Sequence, residues 1–170
     1  MPAARAAAIP GTESSITKQA LGEVVISAGT PRLERGAELA PVTDLEQILS
    51  IERRFIVGSR AAMLRARLAC SSVTALTAGG YALATPQPGG TRIGPIIAES
   101  EAEARALARA LFRAAPGLVR LDVPGEQRAF REWLVGLGLV EKGVHREMVR
   151  GGAVPWNVPE RFCQATQAWG

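Results

Sequence analysis

The dipeptide Gly94-Pro95 interrupts residues 91–98 (TRIGPIIA), a segment that otherwise has the composition of a β-strand. Proline has no backbone N–H and cannot donate a hydrogen bond to a neighbouring strand. A strand that contains Gly-Pro must therefore form a bulge or lose a neighbour at that point. Two interpretations follow from the dipeptide. It marks either a gap between two strands that admits a ligand, or an edge strand with no ligand at all.

The segments around this dipeptide alternate between strand and helix patterns. β-branched and apolar runs predict strands at 22–27, 72–77, 81–86, 91–98 and 118–123, and a closing hairpin of 139–141 with 144–149 around Lys142-Gly143. Apolar residues at helical spacing predict helices at 44–56, after Ser59, at 101–115 and at 126–137, and a short helical piece at 159–168. This order indicates an α/β fold, a mixed sheet with helices on both faces. Residues 1–23 lack periodicity and are expected to form a loose tail before one domain at 24–170.

Composition narrows the function classes. The 20 basic and 16 acidic residues leave a net charge of only +4, and aromatic residues make up 5% of the chain, which disfavours nucleic-acid binding. One histidine and two cysteines leave no zinc cluster, so we expect no metal. No apolar run reaches the roughly 20 residues of a membrane span. The expectation is a cytoplasmic protein that binds neither nucleic acid nor membrane.

Three features of the pattern mark candidate functional residues. Thr43 with Glu46, and Ser100 with Glu103, have the spacing of a helix capping box. Glu52 falls on the inward stripe of the first helix, where a buried carboxylate either pairs with an arginine or lines a polar pocket. Tyr81 opens a predicted strand and belongs either to the core or to the lining of such a pocket.

A family resemblance is carried by short segments in a fixed order across residues 24–170. They include 80–84 (GYALA), 93–98 (IGPIIA), 122–124 (DVP), 133–134 (WL) with 138–139 (GL), and 146–151 (REMVRG). In this order they resemble the GNAT-type N-acetyltransferases, most closely the C-terminal GNAT-like domain of tandem bacterial acetyltransferases. The resemblance implies a central mixed, mostly antiparallel sheet.

The resemblance also implies a site for acetyl-CoA. In that family the pantetheine enters beside the interrupted strand, which assigns backbone contacts to Ile96, Ile97 and Ala98. The pyrophosphate lies at the next helix N-terminus, where Ser100, Ala102 and Ala104 stand in place of the family's glycines. Asp122, at the end of a strand near which this fold gathers its active-site groups, becomes the candidate catalytic base. Glu52 and Tyr81 become candidates for the substrate pocket.

The function implied is an acetyl-CoA-dependent N-acyltransferase acting on a small amine, with a homodimer covering the exposed sheet edges. The alternative is a catalytically silent GNAT-like module, for ligand binding or dimerisation, that has lost CoA binding. Glu99, Glu101 and Glu103 favour the alternative, because carboxylates at a helix N-terminus repel a pyrophosphate. Leu134 also favours it, since many family members have a tyrosine general acid at that position.

Overall fold

The computed structural model describes residues 18–32, 44–56, 58–115, 117–150 and 159–165. These residues form seven strands and four helices: β1 (Lys18–Gly29), α1 (Leu45–Phe55), α2 (Ala61–Cys70), β2 (Val73–Leu76), β3 (Gly80–Gln87), β4 (Gly90–Ala98), α3 (Glu101–Ala114), β5 (Val119–Pro124), α4 (Arg128–Gly136), β6 (Val140–Arg150) and β7 (Arg161–Cys163). The strand β1 begins inside the expected tail, and residues 1–17 lie outside the described residues.

The strands form one sheet in the order β2-β3-β4-β5-β1-β6, and β7 pairs with β4 outside this path. The pairing of β4 with β5 is parallel, and the other pairings are antiparallel. The prediction of a mixed, mostly antiparallel sheet is therefore confirmed. The first described strand, β1, lies inside the sheet, where it pairs with β5 on one side and β6 on the other.

Helices cover both faces of the sheet, as predicted. On one face, α1 and α2 pack against a core cluster that includes Tyr81, Leu83 and Ile97. On the other, α3 and α4 pack against a larger cluster that includes Ile93 and Leu121. Strands whose side chains alternate between two covered faces are apolar on both sides, which explains the nearly continuous burial of β3, β4 and β5.

The helix ends follow local hydrogen bonding rather than spacing alone. Asp44 is the N-cap of α1, with Oδ1 accepting from the N–H of Glu46 at 2.9 Å, whereas the predicted cap Thr43 lies outside the described residues. Ser100 caps α3 as predicted, with Oγ accepting from the N–H of Glu103 at 3.3 Å. Gly138 follows α4 with a φ of +95°, a conformation that glycine adopts without steric cost.

Two predicted elements were wrong. Lys142-Gly143 is not a turn, because β6 runs through it as one strand along β1 and a register shift between Ile26 and Ser27 accommodates it as a bulge. The segment expected to be helical at 159–168 instead forms a turn at 159–160 followed by the strand β7, because β4 offers it hydrogen-bonding partners. Residues 166–170 lie outside the described residues. Within the described ranges, no helix is long and apolar enough to cross a membrane.

Candidate functional site

The sequence predicts a bulge or the loss of a neighbouring strand at Gly94-Pro95, and the structure has both. The register between β3 and β4 shifts between Ala82 and Ala84, which is a bulge opposite the dipeptide. The pairing of β4 with β5 ends at Ile93 opposite Leu121, immediately before Gly94. We call the space between the two strands beyond this pair the β4–β5 gap. It is the place where the resemblance puts the pantetheine of acetyl-CoA.

The β4–β5 gap is filled by β7. Cys163 lies opposite Ile96 and Arg161 opposite Ile97, in antiparallel register. On the β4 side the N–H of Ala98 donates to the carbonyl of Glu160 at 3.0 Å. On the β5 side the N–H of Gln164 donates to the carbonyl of Asp122 at 2.8 Å. The segment therefore joins the two strands by backbone hydrogen bonds.

Side chains also hold β7 in place. Phe162 is 5% exposed and packs edge-on against Phe130 of α4, with ring centroids 5.5 Å apart. The thiol of Cys163 is fully buried and donates to the carbonyl of Ile93 at 3.0 Å. Burial raises the pKa of this thiol far above its usual range, and the negative charge of Asp122 raises it further. Cys163 is thus an inert, protonated thiol in this conformation.

The predicted cofactor-contacting residues Ile96, Ile97 and Ala98 all lie along β7 and are fully buried. Because the strand edge that a pantetheine would use is already paired, the residues present do not fit that group while β7 is in place. Any binding of the pantetheine at this edge requires β7 to leave.

The carboxylate of Glu103, in the first turn of α3, binds groups that lie before the helix. Its Oε1 accepts from the N–H of Gly79 at 3.0 Å and from the hydroxyl of Thr77, and its Oε2 accepts from the N–H of Glu99 at 3.2 Å. A Cβ on Gly79 would lie 2.6 Å from the Glu99 carboxylate and 2.8 Å from the Glu103 carboxylate, so both carboxylates lie against this turn. The Glu103 side chain thereby links the turn between β2 and β3 to the start of α3.

The other two carboxylates of this turn form ion pairs at the surface, Glu99 with Arg54 and Glu101 with Arg105. The guanidinium of Arg105 also lies over the ring of Trp133, 5.5 Å from its centroid. Of the three residues predicted to stand near the pyrophosphate, Ser100 and Ala102 are exposed, whereas Ala104 is buried in the core under α3.

Asp122, the predicted catalytic base, is only 1% exposed and is paired with two arginines. Its Oδ2 accepts from Arg92 of β4, and its Oδ1 accepts from Nε of Arg120 at 3.0 Å. Both carboxylate oxygens are therefore engaged. In this conformation the carboxylate serves to hold two guanidinium groups at the edge of the β4–β5 gap.

Glu52 and Tyr81, the predicted pocket residues, contact each other. Glu52 accepts from both Nε and Nη2 of Arg60, with the Nε bond at 3.0 Å, and also from the hydroxyl of Tyr81. Glu52 is 4% exposed and Tyr81 is fully buried. Of the two interpretations of Glu52, the ion pair with an arginine is the one that the structure shows. Burial, reinforced by the charge of Glu52, raises the pKa of Tyr81 well above its usual range.

Sequence reasoning missed the partners of these carboxylates. Arg120 lies two residues before Asp122 on the same strand, so alternation along β5 would have placed both side chains on one face. Arg92 and Arg60 come from other elements, and only the tertiary fold brings them to their carboxylates. Among the described residues no group of three or more histidine, cysteine, aspartate or glutamate side chains is placed to hold a metal ion.

Comparison with known proteins agrees with this architecture. The family described as "Acetyltransferase (GNAT) domain" matches residues 48–161. A crystal structure from Pyrococcus horikoshii, described as "A Putative Acetyltransferase", superposes with a TM-score of 0.76 at 16% identity, covering 90% of this chain and 53% of that one. The chain thus spans about half the length of that protein. No curated protein matches the sequence. Because the family match extends over more than half of the chain, the protein belongs to the GNAT acetyltransferase domain family.

Proposed function

We propose that the protein transfers an acyl group from acetyl-CoA to a small amine, and that the donor binds in the β4–β5 gap after β7 has left it. The observation that carries this proposal is the end of β4–β5 pairing at Ile93 and Leu121, directly before Gly94-Pro95. Membership of the GNAT family supports acyl transfer as the general reaction. The donor and the class of acceptor come from the resemblance of the residues around this gap.

Opening the gap has an energetic cost that sets the expected affinity. Release of β7 exposes Phe162, whose burial stabilises by about 2 kcal/mol. It also breaks the backbone hydrogen bonds of Ala98 and Gln164, each worth about 1 kcal/mol net. A total of about 4 kcal/mol lowers the apparent affinity for a ligand of the open form about a thousandfold. The proposal therefore predicts weak binding by the native chain and tighter binding when β7 is loosened.

A variant pair separates loosening of β7 from general destabilisation. Phe162→Ala removes the side chain that anchors β7, whereas Phe112→Ala removes an equally buried ring from the same core cluster, where it stacks on Trp133. Isothermal titration with acetyl-CoA should show at least tenfold tighter binding by Phe162→Ala than by the native chain. Phe112→Ala should bind as weakly as the native chain.

Thiol labelling reports independently on β7. Cys70 is exposed and Cys163 is buried, so the variant Cys70→Ser leaves a thiol that reacts only when β7 opens. Under the proposal, acetyl-CoA accelerates labelling of Cys163, because the cofactor and β7 compete for the same strand edge. If Phe162→Ala labels rapidly and still binds no acetyl-CoA, the proposal fails even though the gap has been opened.

That outcome would support the second candidate, a GNAT-like module without CoA binding. Two observations favour this candidate: β7 completes the sheet across the gap, and Glu103 engages the backbone N–H groups of Gly79 and Glu99. For such a module we expect acetyl-CoA to leave the labelling rate of Cys163 unchanged in every variant.

A further inference from the structure

Three arginines gather at the point where β4 is interrupted. Arg92 and Arg120 both pair with Asp122, and Arg67 of α2 donates from Nη2 to the carbonyl of Gly94 at 3.1 Å. We call Arg67, Arg92 and Arg120 the arginine cluster. Its members come from a helix and two strands, so it is the tertiary fold that brings their positive charges together.

The charges of the arginine cluster are not balanced within the described residues. Arg92 and Arg120 share the single carboxylate of Asp122, and Arg67 has no ion-pair partner in the part of the chain that the structure describes. The Nε of Arg67 is buried and lacks a hydrogen-bond acceptor there. Removing a cation from water without a counter-charge is costly, which leaves the cluster suited to an anion.

Neighbouring groups do not supply the missing negative charge. Cys163 interacts electrostatically with Arg67 and Arg92, but burial raises the pKa of its thiol so far that it stays neutral. Burial, followed by the positive charge of Arg92, lowers the pKa of Arg67 below its usual value. The neighbours of Arg67 therefore include the positive charge of Arg92, and Cys163 adds no negative charge to offset it.

We propose that the arginine cluster binds an oxyanion, the carboxylate or phosphate group of a small ligand. Guanidinium groups suit such ligands because their planar N–H donors match the spacing of two oxygens. Asp122 acts as a positioning residue that holds Arg92 and Arg120 toward the site. If the proposed acyl transfer takes place, the acceptor is an amine that also carries an anionic group. The assignment of an anionic amine as the acceptor rests on the proposed function, whereas the anion site itself does not.

Direct binding tests the anion site on the full chain without any activity. Inorganic phosphate and malonate are titrated separately at constant ionic strength, with chloride as the reference anion, and binding is followed by calorimetry and by the shift in melting temperature. Arg67→Gln should weaken binding at least tenfold. The matched control is Arg65→Gln, an exposed arginine on the same helix, which should bind within twofold of the native chain.

The outcomes separate the two sources of the oxyanion. Binding of malonate alone assigns a carboxylate ligand, and binding of phosphate alone assigns a phosphate ligand. If neither anion binds more tightly than chloride, or if Arg67→Gln binds as the native chain does, the proposal is overturned. Should Arg67→Gln fail to fold, Arg120→Gln, at a side chain that is 34% exposed, decides between the same two results.

An activity comparison then tests the acceptor class. In the Phe162→Ala background, glycine is compared with methylamine, which lacks the carboxylate, using release of CoA as the measurement. We expect a kcat/KM at least tenfold higher for glycine, and loss of that preference in Arg67→Gln. No turnover of either amine counts against acyl transfer, whereas equal turnover of both counts against the arginine cluster as the acceptor site.

Discussion

Tyr81 of β3 donates its hydroxyl hydrogen to the carboxylate of Glu52 on α1, and both side chains are buried. Tyr81 is the single tyrosine of the chain, so tyrosinate absorbance reports on this contact alone. Burial and the charge of Glu52 raise the pKa of Tyr81 above the value of about 10 that it has when unfolded. We expect no tyrosinate signal from the folded protein as the pH passes about 10.

The same shift predicts how stability depends on pH. A group whose pKa is raised on folding contributes fully below its unfolded pKa, and the contribution is lost as the pH rises above it. The free energy of unfolding should therefore fall above pH about 10, and Tyr81→Phe should remove this component of the fall. Urea unfolding measured between neutral and alkaline pH checks it. A reversible, ordinary tyrosine titration in the folded state would contradict the burial of this hydroxyl.

Substitutions of Glu52 should destabilise the protein more than substitutions of Tyr81. Tyr81→Phe leaves the bidentate pair of Glu52 with Arg60 intact, at a cost of about 1–2 kcal/mol. Glu52→Ala leaves the Arg60 side chain, which is 13% exposed, without the carboxylate of Glu52 and should cost about 3–5 kcal/mol. Glu46→Ala on the same helix removes an exposed carboxylate and should cost under about 1 kcal/mol. Urea denaturation midpoints compare the three variants.

Asp122→Asn should lower stability rather than only activity. The substitution removes the negative charge that compensates Arg92, which is 13% exposed, and Arg120 beside it. Breaking such a pair from one side costs about 3–5 kcal/mol. Equilibrium unfolding in urea measures the loss. Unchanged stability combined with loss of acyl transfer would instead identify Asp122 as a catalytic base.

The carboxylates before and within the first turn of α3 should differ in importance. Glu103→Ala leaves the N–H groups of Gly79 and Glu99 without their side-chain acceptor and should cost about 1–3 kcal/mol. Glu101→Ala removes a surface ion pair with Arg105 and should cost less than about 1 kcal/mol. Thermal unfolding distinguishes the two. Equal losses would show that Glu103 does not hold the turn between β2 and β3.

Gly94→Ala tests the close contact of β4 with the segment that includes β7. A Cβ at Gly94 would lie 2.1 Å from the carbonyl oxygen of Gln164, and the φ of +147° already disfavours a side chain. We expect β7 to be displaced, which hydrogen exchange of residues 159–165 and faster labelling of Cys163 would detect. Gly89→Ala is the control, since its φ of +82° carries a cost of about 1–2 kcal/mol with no atom in contact. Unaltered exchange in Gly94→Ala would show that the contact is absent.

Elements that depend on interactions between residues close in sequence were predicted correctly, whereas elements that depend on pairing with a distant segment were not. The four helices and the strands β2 to β5 lie close to their predicted positions, because apolar periodicity and glycine-containing turns act within a few residues. The hairpin at Lys142-Gly143 was wrong because Lys-Gly resembles a turn locally, while the long partner strand β1 keeps both halves in one strand. A dipeptide carries no information about the length of the strand it will pair with.

In the candidate site, too, features that depend on local sequence were predicted and features that depend on distant segments were not. Gly94-Pro95 correctly indicated a bulge or a lost neighbouring strand, because either follows from the missing proline N–H, and both are present. The strand β7 is only three residues long, too short to show a period of two, and the prediction of a helix there is wrong. The pairing of Glu52 with an arginine was among the alternatives, but the choice of Arg60 depends on how α1 and α2 pack.

The position of β7 also has a consequence for biosynthesis. Direct pairing of β4 with β5 involves only three residue pairs, so β7 supplies much of the connection between β2-β3-β4 and β5-β1-β6. In chain order, β7 comes after the other six strands of the sheet. The strand β1 comes first among them, and it stays unpaired until its partners β5 and β6 have been synthesised. A nascent chain therefore exposes an unpaired edge of β4 until residues 161–163 have left the ribosome. If translation stalled before that point, the exposed edge of β4 would be prone to pair with strands of other chains.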